Sequence, residues 1–133
     1  MAHYLLDTNH ASTLVTLHHP LRQKVFTAMA AGHHFSVTVP VVTESVLGIS
    51  LLPRAVANRQ EWENLRRDMK CFELDAADAL DAADLQLDMR KIGIQLETVD
   101  ALIATVAIRY DLILLTSDKD FHAVPKLRHE NWR

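Results

Sequence analysis

The stretch Leu112-Ile113-Leu114-Leu115 is apolar without interruption and stops at Thr116-Ser117-Asp118. A short run with no polar alternation fits a strand covered on both faces, the situation of a parallel sheet with helices on either side. His3-Tyr4-Leu5-Leu6 has the same character and stops at Asp7. Two strands that each run out to an aspartate constrain this chain more than any other feature. In parallel α/β sheets, ligands sit beyond the carboxyl ends of the strands.

The rest of the pattern supplies the helices such a sheet needs. Asp7-Thr8-Asn9 offers caps for a helix over roughly 10–17, and Pro20 opens another to about Ala31, with Leu21, Val25 and Met29 on one face and Gly32 as its stop. Phe35 to Val39 alternates like a strand, and Pro40 opens a helix carrying Glu44, with a break from Gly48 to Pro53. Residues 54–70 read as a basic amphipathic helix with Trp62, Leu65 and Met69 inward. Cys71 to Leu74 is a short strand candidate, followed by helices at about Asp75–Lys91 and about 99–110. The second of these has a core stripe of Val99, Leu102, Ile103, Val106, Ala107 and Tyr110. Leu127 to Trp132 adds an edge strand. Strands alternating with helices predict an α/β fold built on a parallel sheet.

At 133 residues and 49% hydrophobic, the chain predicts one domain spanning 1–133. Only 3 Gly and 4 Pro exclude collagen-like and low-complexity classes. No apolar run approaches a membrane span, and MAHYLLDTNH lacks the basic and apolar regions of a signal peptide. With Cys71 as the only cysteine, the expectation is a soluble cytoplasmic protein. The net charge of −3 argues against passive coating of nucleic acid, although an acidic site can hold a phosphate through divalent cations.

Where the acids lie therefore decides more than their number. Asp7 and Asp118 fall at the carboxyl edge of the sheet, Glu44 early in the helix after strand two, and Asp100 in the first turn of the 99–110 helix. Each has a structural reading: Asp7 as a helix cap, Asp100 as a partner of the helix dipole, Glu44 as a solvated residue, Asp118 as an Asx turn. Together at one edge they would repel one another unless a hard cation such as Mg²⁺ or Mn²⁺ neutralised them.

Leu5-Leu6-Asp7-Thr8-Asn9 resembles the opening motif of PIN-domain proteins. Asp100-Ala101-Leu102-Ile103-Ala104 and Leu115-Thr116-Ser117-Asp118-Lys119-Asp120-Phe121 resemble their later acidic motifs, and Val42-Thr43-Glu44-Ser45 matches the second more loosely. The ending Glu130-Asn131-Trp132 also fits. The length is similar to that of the VapC-type toxin ribonucleases of toxin–antitoxin pairs. This resemblance implies a Rossmann-like parallel β-sheet flanked by helices and a Mg²⁺- or Mn²⁺-dependent endoribonuclease. Asp7, Glu44, Asp100 and Asp118 carry over as its acidic quartet, with Asp7, Asp100 and Asp118 as metal ligands. Thr116 and Asp120 follow as residues that orient the site. The same resemblance implies an RNA substrate, a small cognate antitoxin and a homodimer. Two rival readings are a catalytically silent PIN-like module that binds RNA or protein, and a haloacid-dehalogenase-like phosphohydrolase. The second lacks the acid it needs two positions after Asp7, where Asn9 stands.

Other features read as structural. Asp75, Asp78, Asp81, Asp84 and Asp88 share one helix face, expected to be a solvated one with alanines and leucines on the opposite side. The pairs His18-His19 and His33-His34 do not make a zinc site, and His3, His10, His122 and His129 carry no signal of their own. Cys71 reads as a small buried apolar residue. The basic 54–70 stretch fits RNA phosphate, a solvated face or a dimer contact.

Overall fold

The computed structural model describes all 133 residues. Five strands form one parallel sheet in the order β3-β2-β1-β4-β5: β1 His3–Leu6, β2 His34–Thr38, β3 Lys70–Phe72, β4 Ile113–Leu115 and β5 Arg128–Glu130. Helices α1 Thr8–Ala11 and α2 Pro20–Ala30 connect β1 to β2, with a 3₁₀ turn Ser12–Val15 between them. α3 Val39–Ser50 and α4 Ala55–Arg66 lead to β3, and α5 Ala76–Lys91 and α6 Thr98–Arg109 lead to β4. A second 3₁₀ turn, Lys119–Ala123, joins β4 to β5.

The chain winds outward from β1 through β2 to β3, then returns to the other side of β1 for β4 and β5. The winding direction thus reverses between β1 and β4, which opens a crevice at their carboxyl ends. Leu6 pairs with Leu115, so the residues that follow, Asp7 and Thr116, emerge side by side. The two central strands are held by their apolar content: Leu5, Leu6, Leu114 and Leu115 are all fully buried.

Several boundaries depart from the sequence reading. The helix expected over roughly 10–17 is a single turn, Thr8–Ala11, continued as the 3₁₀ turn. Gly48 does not break α3: buried Ile49 anchors one more turn, and the helix continues to Ser50. α4 ends at Arg66 rather than near residue 70, although Met69 is buried as expected. Tyr110 lies outside the core stripe, half exposed, with its ring against Phe72. Cys71 is only partly buried.

The acidic face of α5 is corrected more substantially. Asp78 is buried: it closes a reciprocal capping box with Asp75 and, like Asp81, binds Arg109 of α6. Ala76, Ala79, Leu80, Ala83 and Leu87 face outward instead. The ion pair draws this part of the stripe toward α6, leaving alanines and leucines at the surface. Asp75, Asp81, Asp84 and Asp88 remain exposed, as expected. No helix is long and apolar enough to cross a membrane.

Candidate active site

Asp7 leaves the end of β1 with its backbone N–H donating to the Leu115 carbonyl (3.0 Å). Its side chain is buried, and both of its oxygens accept hydrogen bonds. Oδ1 accepts from the Thr8 N–H (2.8 Å), and Oδ2 accepts from the Thr116 hydroxyl (2.7 Å) and the Asn9 amide (3.1 Å). The capping role considered for Asp7 is therefore real and coexists with its place in the crevice. Burial raises its pKa most, the bonds from Thr116 and Thr8 pull it back, and the charges of Asp118 and Glu44 add to the rise.

Thr116 links the two strand ends. While its hydroxyl donates to Asp7, it also accepts from the Asp118 N–H (3.0 Å). Asp118 accepts from the Asp120 N–H through Oδ1 (2.9 Å), the Asx turn the sequence allowed. That turn brings Asp120 round, so that one carboxylate oxygen each from Asp100, Asp118 and Asp120 lies within 4.8 Å of the others. Asp100 is half buried in the first turn of α6. Desolvation first, then the charges of Asp7, Asp118, Glu44 and Asp120, push its pKa up to about 7. Glu44, exposed on the second turn of α3, accepts from the Thr8 hydroxyl (2.7 Å). Thr8 thus joins Glu44 to Asp7, while the tight trio holds Asp120 together with Asp100 and Asp118.

None of these five acids forms an ion pair: the salt bridges of the chain all lie elsewhere. Native proteins seldom leave so many carboxylates together without compensation.

Thr8 and Asn9, which the sequence offers only as helix caps, bond directly to Glu44 and Asp7. The sequence assigns no role to His10. That side chain is fully buried: Nδ1 lies 2.6 Å from the Asn9 Oδ1, and Nε2 accepts from the Trp132 N–H (3.0 Å). Burial, and less strongly Arg133, pulls its pKa down to about 4. A usable signal existed: His10 directly precedes Ala11, with Leu14 and Val15 beyond, the inward-facing positions of this turn.

Residues 4–127 match the PIN domain. The chain belongs to the PIN-domain family. The PIN fold of this chain is similar to VapBC2 from Rickettsia felis, solved bound to a DNA fragment from its promoter, with 22% identity over 98% of this chain and 99% of that one and a TM-score of 0.85. It is similar also to DNA-bound VapBC from Salmonella typhimurium (18% identity, 100% of both chains, TM-score 0.83). A third is VapBC-5 from Mycobacterium tuberculosis, of the VapBC family of toxin–antitoxin systems (22%, 98% and 99%, TM-score 0.70). No curated protein matches the sequence. Within this PIN domain the donor set is all oxygen, carries multiple negative charges and is paired with no Lys or Arg side chain. That chemistry suits hard divalent ions such as Mg²⁺ and Mn²⁺, and does not suit zinc, which favours nitrogen and sulfur.

Proposed function

We propose that this PIN-domain chain is a Mg²⁺- or Mn²⁺-dependent endoribonuclease, the VapC-type toxin of a toxin–antitoxin pair, acting in the cytoplasm as a single-domain protein. The observation that carries the reading is the trio Asp100, Asp118 and Asp120, with one carboxylate oxygen of each within 4.8 Å of the others, Asp7 and Glu44 close enough to repel Asp100, and no salt bridge to any of the five.

Asp7, Asp100 and Asp118 would hold the ion, with Asp120 close enough to join or to orient Asp118. When bound, the cation supplies charge neutralisation for the phosphodiester and makes a nearby water more acidic. The remaining work falls to the chain. Thr116, Asn9 and the Thr8 N–H fix the Asp7 carboxylate before any ligand arrives, which removes the cost of ordering it later. Glu44 has Oε1 tied to Thr8, which leaves Oε2 to accept a hydrogen bond from the attacking water and aim it. Asn9 carries an amide that donates to Asp7, so it cannot serve as the second acid of an aspartyl-phosphate mechanism. This disfavours the phosphohydrolase reading.

The partners follow from the same reading: an RNA substrate, a small antitoxin and a second copy of the chain. The outward Leu80, Ala83 and Leu87 of α5 support a homodimer. Exposed Leu47 on α3, Leu51 in the turn that follows it and Val56 on α4, beside the helix that carries Glu44, support an antitoxin segment passing toward the acids.

The test is digestion of a broad RNA panel by antitoxin-free protein, with Asp7→Asn as control. Cleavage that needs Mg²⁺ or Mn²⁺, stops in chelator and returns when metal is restored is expected. Absence of cleavage under all of these conditions would favour the silent binding module.

A further inference from the structure

His10 takes no part in the acidic site, yet it is completely buried and both of its ring nitrogens are used. Two backbone N–H groups, which can only donate, determine every polarity in its surroundings. The Ser117 N–H lies 3.2 Å from one side-chain atom of Asn9, so that atom must be the oxygen. The other, the amide nitrogen, then faces Asp7 Oδ2 at 3.1 Å. His10 Nδ1 lies 2.6 Å from the same Asn9 oxygen and must carry the proton. Nε2 must be bare, because the Trp132 N–H donates to it at 3.0 Å. One neutral tautomer satisfies all four contacts. Trp132 is itself fixed by its ring against Tyr4 (4.8 Å) and Phe35 (5.8 Å) and by Lys24 over its face.

We propose that His10 is a positioning residue for Asp7: it locks the Asn9 amide in the one orientation that donates to the carboxylate, and it anchors that lock to the C-terminal segment at Trp132. The inference rests on the ribonuclease reading above. His10 at 2.6 Å and the Ser117 N–H at 3.2 Å together keep the Asn9 oxygen from rotating toward Asp7, an arrangement that would set two acceptors against each other and loosen the carboxylate, and His10 makes the shorter of the two contacts. A group that hydrogen-bonds a metal ligand, as Asn9 does Asp7, typically changes metal affinity or activity by about 10–100-fold when its bond is lost, and His10 acts through that bond.

Two substitutions separate this role from simple packing. In His10→Asn the side-chain amide stands where Nδ1 stood, so the donor to Asn9 survives and the bond from Trp132 is lost. In His10→Gln the end of the side chain stands where Nε2 stood, so the acceptor for Trp132 survives and the donor to Asn9 is lost. Both variants lose buried volume and one hydrogen bond. Mn²⁺ affinity, measured by titration calorimetry, and kcat for RNA cleavage are expected to fall by about tenfold or more in His10→Gln relative to His10→Asn. KM for RNA should stay level, and the two variants should melt at similar temperatures. Equal Mn²⁺ affinity in the two variants would overturn the proposal.

A measurement on the unaltered protein covers the case in which a variant fails to fold. Two-bond ¹H–¹⁵N correlation spectra report which ring nitrogen of His10 is protonated. Nδ1–H is expected, and Nε2–H would overturn the proposal. If the unaltered protein neither binds Mn²⁺ nor cuts RNA, the ribonuclease reading falls and this one with it. If it does both while His10→Gln behaves like His10→Asn, only the role of His10 falls.

Discussion

Asp100→Asn should stabilise the metal-free protein at alkaline pH, although it removes a residue of the proposed site. In the folded chain Asp100 titrates at about 7, against the ordinary aspartate value of 3.8, chiefly through desolvation and then repulsion from Asp7, Asp118, Glu44 and Asp120. A raised folded-state pKa means that the unfolded chain releases its proton first. Stability from this group is complete below pH 3.8 and declines as pH rises to about 7, after which the loss is constant. At about 1.4 kcal/mol per pKa unit the gap corresponds to an upper bound of about 4 kcal/mol. Asp100 is only half buried and faces water on one side, so screening reduces this to roughly 1–2 kcal/mol. For a domain of this size that is roughly 3–8 °C in Tm. Thermal melts in EDTA at pH 8 should show the Asn variant melting higher, with the difference shrinking toward zero near pH 4. Adding Mn²⁺ should reverse the order, because only the unaltered protein gains the full binding energy. A variant that melts lower at pH 8 in chelator, or a difference independent of pH, would refute the reasoning.

Asp7→Asn should keep the fold, since an amide oxygen can still cap α1, but reduce cleavage by more than the roughly 10–100-fold typical of a residue one layer out; RNA digestion beside circular dichroism checks both halves. Thr116→Val removes the donor to Asp7 and the acceptor for the Asp118 N–H at nearly constant volume, and about a 10–100-fold fall in activity or Mn²⁺ affinity is expected. Asp78→Ala breaks the capping box of α5 and leaves Arg109 of α6 without its buried partner, so a loss of about 2–4 kcal/mol in urea unfolding is expected. Because this pair lies away from the crevice, cleavage by the fraction still folded should be unchanged.

The strands that build the site were legible because burial on both faces leaves a plain apolar signature, and the polar residues where Leu6 and Leu115 hand over mark the edge. Asp100 was legible from its place in the first turn of a strongly periodic helix. Asp120 was read only as an orienting residue, because its approach to Asp100 depends on the Asx turn made by Asp118, a local geometry that spacing does not encode. Asp78 looked like one more solvated acid. Its burial depends on Arg109, 31 residues away, and such a pairing has no periodic signal. The burial of His10 can be read from its neighbours Ala11, Leu14 and Val15, but its bond to Trp132, 122 residues along the chain, cannot. Gly48 carries the sequence signal of a helix break, which the packing of Ile49 overrides. What escaped the sequence was side-chain pairing between elements distant along the chain.

The shared acidic pocket can be tested most directly by anomalous diffraction at the manganese edge from crystals grown with Mn²⁺. An anomalous peak at coordination distance from the carboxylates of Asp7, Asp100 and Asp118 is the expected result. Saturating Mn²⁺ that gives no peak there, or gives one bound elsewhere on the surface, would contradict it.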